Sequence, residues 1–331
     1  MGTLLERLAA ATPMIYDGGF GSQLFARGIE LANSALANEL YPETAIDIHS
    51  AYIEAGAEAI GTNTFVASTL HLEMAGVDGV DSDRLVRRAV EHAKAAVEKS
   101  GKEVYIAGTI GPSPGALEAD SGDVDFGIPN VVARDSHERV MNVLAEGGVD
   151  FFCIETMFSA TEVAIAVDIA RKTGLPIAVC VTYKSTKDRK TGNIVYRTDW
   201  GHSAADLLEI LSNGKFSNGD NLLDHVHILG INCGAEAKHS EHTGMPYAVN
   251  GLKQLREAMD KKGLQNKRLM AYPNAGMPRL DKNHQTYYSQ TPEEMALHLP
   301  NLLEAGADFI GGCCGTDPSH IGAFREAILQ A

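Results

Sequence analysis

Short apolar runs alternate with longer, alanine-rich amphipathic stretches, and the alternation repeats eight times along the 331 residues. The runs predict strands at Met14 to Tyr16, Glu58 to Gly61, Val104 to Gly108, Phe151 to Ile154, Ile177 to Tyr183, His227 to Ile231, Arg268 to Tyr272 and Phe309 to Gly311. Helices are predicted between and after them, at Ala45 to Ala55, Asp83 to Lys99, Ser136 to Glu146, Thr161 to Lys172, Ser203 to Ser212, Val249 to Lys261, Pro292 to Glu304 and Pro318 to Leu329. Such alternation implies parallel strands joined by right-handed crossovers. Eight units fit a closed (β/α)8 TIM barrel of the α/β class better than a doubly wound sheet, which would carry fewer strands and a G-x-G-x-x-G phosphate loop. Asp17-Gly-Gly-Phe-Gly21 is glycine-rich but lacks that spacing.

Glu54-Ala-Gly-Ala57, Glu146-Gly-Gly-Val149 and Glu304-Ala-Gly-Ala307 read as one device used three times, a glycine closing a helix before the next strand. Three connections break the rhythm: Ser113 to Ala133, Lys184 to His202 with a hairpin through Lys190-Thr-Gly-Asn193, and Gly276 to Thr291. Loops of that length in a compact fold act more often as lids or substrate walls than as idle connections. None has the composition of a linker, so residues 1–331 are read as a single domain.

A formal net charge of -15 argues against nucleic acid or an anionic membrane surface as partner. Five cysteines without a pairing scheme fit a reducing compartment. Met1 to Leu8 has no basic flank and no continuous apolar segment, and no run approaches a membrane span. The expectation is a soluble cytoplasmic protein, with self-association left open.

The chemistry is expected in Phe309-Ile-Gly-Gly-Cys-Cys-Gly-Thr316. Adjacent residues of a strand point to opposite faces, so Cys313 and Cys314 reach one centre only where the strand ends, and Gly311, Gly312 and Gly315 permit the bend. A disulfide between neighbours would be strained. Thiolate ligation of a metal, zinc by preference for soft sulfur, needs a third ligand, and Cys233 supplies it from Ile228-Leu-Gly-Ile-Asn-Cys-Gly234. The alternative is that all three are small buried apolar residues, the reading given to Cys153 and Cys180 inside strands. His239 and His242 could suggest a second metal but read as solvated loop residues.

Function in a barrel collects where the strands end. Asp17, Thr62 with Asn63, Gly111 with Pro112, Glu155 with Thr156, Tyr183, Asn232 with Cys233, and Asn274 all occupy such positions. A carboxylate closing an apolar strand, as in Phe151-Phe-Cys-Ile-Glu155, needs a cationic partner, either an internal arginine or lysine or a ligand ammonium. Trp200, Tyr183, Tyr196, Tyr287 and Tyr288 could form a cage for an onium group or pack beneath the long loops.

Taken together, Asp17-Gly-Gly-Phe-Gly-Ser-Gln-Leu24, Thr62-Asn-Thr-Phe65, Gly108-Thr-Ile-Gly-Pro112, Glu155-Thr-Met157, Ile231-Asn-Cys-Gly234, Pro273-Asn-Ala-Gly276 and Gly311-Gly-Cys-Cys-Gly-Thr316 resemble the zinc-dependent homocysteine S-methyltransferases. That family includes the betaine and S-methylmethionine enzymes and the homocysteine module of cobalamin-dependent methionine synthase. The resemblance implies a (β/α)8 barrel holding Zn2+ on Cys233, Cys313 and Cys314. It also implies that Asp17 and Glu155 meet the homocysteine ammonium, while backbone amides at Gly18 and Gly19 receive the carboxylate. Asn274 would lie beside the metal and occupy or guard its fourth position; Thr62 would line the substrate site. Without folate, corrinoid or activation modules, the chain is expected not to be a complete cobalamin-dependent methionine synthase.

A thiol with an ordinary pKa near ~8.5 is a poor nucleophile until its proton is removed, which is what a zinc site supplies. An onium donor then needs no general acid, since departure of a thioether or amine cancels its charge. The acidic chain and its loop aromatics suit a small cationic donor. Methylsulfoniums, S-methylmethionine or S-adenosylmethionine among them, rank above betaine because a thioether leaves more easily than a tertiary amine. A methylcorrinoid on a separate protein is the less favoured donor. The readings set aside are a zinc hydrolase, for which strand-end histidines are missing, and a non-catalytic zinc or thiol sensor.

Overall fold

The computed structural model describes residues 2–123, 125–234, 240–282 and 286–330. Its strands in chain order are β1 (Met14–Ile15), β2 (Ala59–Gly61), β3 (Tyr105–Ile110), β4 (Phe151–Met157), β5 (Ile177–Val181), β6 (Lys184–Lys187), β7 (Ile194–Arg197), β8 (Ile228–Cys233), β9 (Arg268–Pro273), β10 (Pro278–Leu280), β11 (Thr286–Tyr288) and β12 (Phe309–Ile310). Eight of them form one parallel sheet in the order β1-β12-β9-β8-β5-β4-β3-β2. A parallel bridge from Tyr16 to Ala59 brings the β1 end back against β2 and closes the barrel. The remaining four make two antiparallel hairpins, β6 with β7 and β10 with β11, in two of the long connections read from the sequence.

Strand alternation divides the apolar residues into two cores. Met14, Tyr16, Ala107, Phe151, Cys153, Cys180, Ile228, Met270, Tyr272 and Phe309 fill the barrel. Their neighbours, including Ile106, Phe152, Ile154, Val179, Leu229, Ile231 and Leu269, face the helices. Each helix buries one stripe against that outer surface. In Ser82–Ser100, Leu85, Val86, Ala89, Val90, Ala93 and Ala96 are buried, Asp81 caps the start through the Asp83 amide, and Gly101 ends the helix at φ +62°. The three helix-closing glycines read from the sequence, Gly56, Gly148 and Gly306, all take positive φ.

Several boundaries differ from expectation for physical reasons. The stretch Pro292 to Glu304 is two helices, Pro292–Ala296 and Leu299–Glu304, because Pro300 has no amide to donate and fits only a first turn. β4 runs through Glu155 and Thr156 to Met157, with a register shift against β5 between Ile154 and Met157. β8 includes Asn232 and Cys233, each paired in register with β9.

The floor of the barrel is made by a short helix, Leu4–Leu8, that the strand pattern does not announce. Thr3 and Glu6 form a capping box at its start. Leu4 and Leu8 enter the barrel core from below. Arg7 grips Glu58 in a fork, Nε to Oε2 at 2.7 Å and Nη2 to Oε1 at 2.8 Å, and Tyr105 donates to the Gly2 carbonyl at 3.0 Å.

Gly230 lies inside the barrel, where a Cβ would stand 2.3 Å from the Met270 carbonyl oxygen and 2.8 Å from the Cys180 sulfur. Backbone cannot retreat as a side chain can, so Gly230→Ala is expected to cost about 1–3 kcal/mol in a denaturant titration.

Candidate active site

Three strand ends deliver three sulfurs to one point. Continued alternation from Leu229 and Ile231 would send Cys233 out toward the helices. Cys233 instead takes φ +57°, a left-handed conformation rare for a side chain of this kind. Gly234 follows at φ +75° and lies so close to Tyr247 that a Cβ would be 2.2 Å from its ring. Cys313 and Cys314 stand just past β12, as the glycine frame requires. The three Sγ atoms all lie within 4.8 Å of one another and form the one group able to hold a metal among the described residues. Tetrahedral zinc bonds at about 2.3 Å place sulfurs roughly 3.8 Å apart, so the donor set and its spacing fit such an ion with little adjustment. Mutual hydrogen bonding sets the three thiols apart, and burial opposes the ionisation of each. Cys233 and Cys313, with Tyr288 beyond them, hold the Cys314 thiol well below its ordinary range, while Cys313 is pushed up by its bonds to the other two sulfurs and by burial.

The loop carrying the cysteine pair is stitched on both sides. The Gly312 amide donates to the Asp17 carbonyl at 2.9 Å, and the Gly315 amide to Ser22 Oγ at 2.8 Å. The Cys313 amide bonds the Pro273 carbonyl, and the Cys314 carbonyl accepts from Ala275, both at 2.9 Å. A Cβ on Gly19 would sit 2.6 Å from the Cys313 carbonyl oxygen, so the first and last loops touch only because glycine stands there.

Above the sulfurs opens a cavity of about 980 Å3, whose lining includes Asp17, Gly18, Gly19, Thr62, Glu155, Cys233, Cys313 and Cys314. Burial pushes Glu155 up to about 7, with the Tyr272 hydroxyl, donating at 2.7 Å, working the other way and the neighbouring Cys314 adding to the rise. Asp17 is pushed well up by burial, opposed by the Gly61 amide at 2.8 Å and raised further by Glu155. The described lining holds no lysine, arginine or histidine, so neither carboxyl meets an internal cation there. The Gly19 amide is occupied by Thr316 Oγ1 at 3.1 Å. Thr62 accepts from the Thr109 amide and shares a hydrogen bond with Thr64, bracing the wall. Asn274 stands beside the sulfurs, its Oδ1 taken by the Cys314 amide at 3.0 Å.

The aromatic residues divide. Tyr287 and Tyr288 line the cavity, and Phe20, Phe25, Phe65 and Phe158 join them. Tyr183 and Tyr196 are buried away from it; Tyr196, itself a residue of β7, meets Tyr247 and His242, and Trp200 lies outside the lining. His242 bonds the Tyr196 hydroxyl at 2.7 Å, and His239 lies outside the described residues. Cys153 and Cys180 are core residues, as expected, with the Cys153 sulfur 3.3 Å from the Tyr272 hydroxyl. The sequence reading passed over Tyr272, although its inward phase with Met270 two residues earlier was the available signal.

Comparison with known proteins follows the same lines. The sequence profile of the homocysteine S-methyltransferases matches residues 14–328. Homocysteine S-methyltransferase 1 of Arabidopsis thaliana is 26% identical, over 96% of this chain and 93% of its own. The methionine synthase of Mycobacterium tuberculosis is 28% identical over 96% of this chain, which spans only 25% of that protein. Among solved structures, the metallated form of the homocysteine methyltransferase MmuM from Escherichia coli superposes with a TM-score of 0.70 at 23% identity, covering 96% of this chain and 97% of that one, a likeness of fold.

Cys233, Cys313 and Cys314 are partly accessible, whereas Cys153 and Cys180 are buried. A thiol reagent is expected to titrate the first three in the folded protein and the other two only after unfolding; mass mapping of the labelled residues checks the assignment.

Proposed function

Because the chain belongs to the homocysteine S-methyltransferase family, we propose that it methylates the homocysteine thiol in a zinc-dependent reaction, drawing the methyl group from a small cationic donor and forming methionine. The observation that carries the zinc reading is the meeting of three cysteine sulfurs in the lining of the cavity. Bound there, zinc would supply the Lewis acidity that lets a thiol lose its proton near neutral pH.

The chain's own groups orient the substrate. Glu155 and Asp17, two carboxyls raised by burial with no side-chain cation in the described lining, suit the ammonium of homocysteine, whose charge would hold both ionised. With the Gly19 amide occupied, the Gly18 amide is the nearer candidate of the two for the carboxylate. Asn274 fixes the Cys314 backbone through one lone pair of its Oδ1 and stands beside the metal's fourth position, to occupy or guard it. Thr62 shapes the wall beside them. The substrate sulfur then attacks the donor methyl in line; the old carbon–sulfur bond breaks, its electron pair leaves with a neutral thioether, and the thiol proton goes to solvent.

An acidic and aromatic lining favours an onium group over an anionic donor. Methylsulfoniums therefore come first, S-methylmethionine or S-adenosylmethionine among them, with betaine second. A methylcorrinoid on a separate protein is the alternative suggested by the partial match to a methionine synthase. Five free cysteines accord with a reducing, cytoplasmic setting. Purified zinc-loaded protein given homocysteine is expected to form methionine with a methylsulfonium as sole donor; inertness with every sulfonium beside turnover of methylcobalamin would overturn the donor ranking.

Replacement of Cys233, Cys313 or Cys314 by alanine is expected to remove activity and lower zinc retention on dialysis by at least about tenfold. The carboxyl reading has its own signature in methionine, which carries the ammonium but no thiol. Glu155 ionises above about 7, so methionine affinity by calorimetry is expected to fall as pH drops through that value, approaching about tenfold per unit. Glu155→Gln should bind methionine weakly at every pH and flatten the profile with zinc content unchanged.

A further inference from the structure

Two of the three non-glycine residues with positive φ among the described residues, Thr156 at +56° and Cys233 at +57°, lie at the mouth on strands separated by β5. One buried side chain joins them. Asn232 Oδ1 accepts from the Thr156 amide at 2.8 Å, and its Nδ2 donates to Thr156 Oγ1 at 2.6 Å. The same Nδ2 faces the Cys313 sulfur at 3.9 Å. On the main chain, the Asn232 carbonyl accepts from the Tyr247 hydroxyl at 3.3 Å, and that hydroxyl also receives the Tyr183 amide at 3.0 Å.

The orientation of the Asn232 amide is settled by its partner. A backbone N–H can only donate, so the group opposite Thr156 N must be the oxygen, and the NH2 must face Thr156 Oγ1 and the sulfur. A donor aimed at sulfur favours thiolate over thiol and draws negative charge away from a three-thiolate centre. Left-handed backbone at a non-glycine residue costs about 1–3 kcal/mol and persists only where surrounding contacts over-determine it. Asn232 supplies such contacts on both sides: its carbonyl, held by the Tyr247 hydroxyl, belongs to the peptide that leads into Cys233, and its side chain fixes Thr156, which follows Glu155.

We infer that Asn232 is a positioning residue that presents an N–H donor to Cys313, holds Cys233 in its ligating conformation and ties both to the Glu155–Thr156 bulge, so that the metal ligands and the substrate carboxyl move as one unit. The inference rests on the zinc reading of the site. Asn232→Asp keeps size and shape, and a rotated Thr156 hydroxyl can still donate to it, yet it turns an acceptor of negative charge toward the sulfur. This variant is expected to bind zinc about 10–100-fold more weakly in a chelator competition, to shift the sulfur-to-metal charge-transfer band of the cobalt-loaded protein, and to raise the KM for homocysteine. Wild-type protein loaded with an NMR-active cadmium isotope gives a readout independent of variant folding: the Asn232 side-chain amide proton is expected to couple to the metal across the N–H···S contact. A folded Asn232→Asp protein with wild-type zinc affinity and KM, or a wild-type spectrum without that coupling, would overturn the inference while leaving the zinc reading intact. A wild-type chain that takes up no zinc would overturn both.

Discussion

Three sulfurs can share one ion only if the chain leaves the sheet on cue, because a regular strand sends neighbouring side chains to opposite faces. The structure meets that constraint by two different means. At β8 the strand keeps its pairing with β9 to the last residue and Cys233 itself twists to positive φ. After β12 the strand is only two residues long, and glycines carry the chain to Cys313 and Cys314. Much of the upper barrel follows from these two turns. Gly19 is required because the first loop lies on the Cys313 carbonyl. Tyr247 and Tyr288 are packed onto the glycines that follow the cysteines, where a Cβ would strike their rings.

The charge of the mouth has the same logic at a larger scale. Three thiols and two raised carboxyls share a lining with no basic side chain among its described residues, and the chain as a whole carries a formal charge of -15. Cations supplied from outside relieve that repulsion, and each added cation makes its neighbours easier to ionise. On the proposed reading, the metal, the substrate ammonium and the donor's onium group are three instalments of one electrostatic requirement, distributed from floor to rim.

Eight-unit alternation was enough to give the barrel, and the place of Cys233 and of the Cys313–Cys314 pair after apolar runs and before glycines was enough to bring the sulfurs under suspicion. Less was visible at the strand ends. Glu155 and Asn232 were expected to follow their strands and instead belong to them, since the length of a strand is set by partners across the sheet rather than by its own apolar run. Tyr183 and Tyr196 were offered either as cage residues or as packing beneath the long loops, and they pack, Tyr196 from within β7 itself; nothing in their local sequence distinguishes them from Tyr287 and Tyr288. The helix Leu4–Leu8 is too short for periodicity to reveal it, and its local signal, the capping pair Thr3 and Glu6, went unread. Pro300, by contrast, was a readable break inside a stretch taken as one helix.

The closed floor has a consequence for traffic. Leu4 and Leu8 fill the lower end of the barrel, and the fork of Arg7 on Glu58 fastens them there, while the sulfurs line a cavity at the opposite end. Among the described residues, the way to the sulfurs is that cavity. On the proposed reading, the amino acid and the donor share that one cavity, so the room left by the first shapes what the second can be.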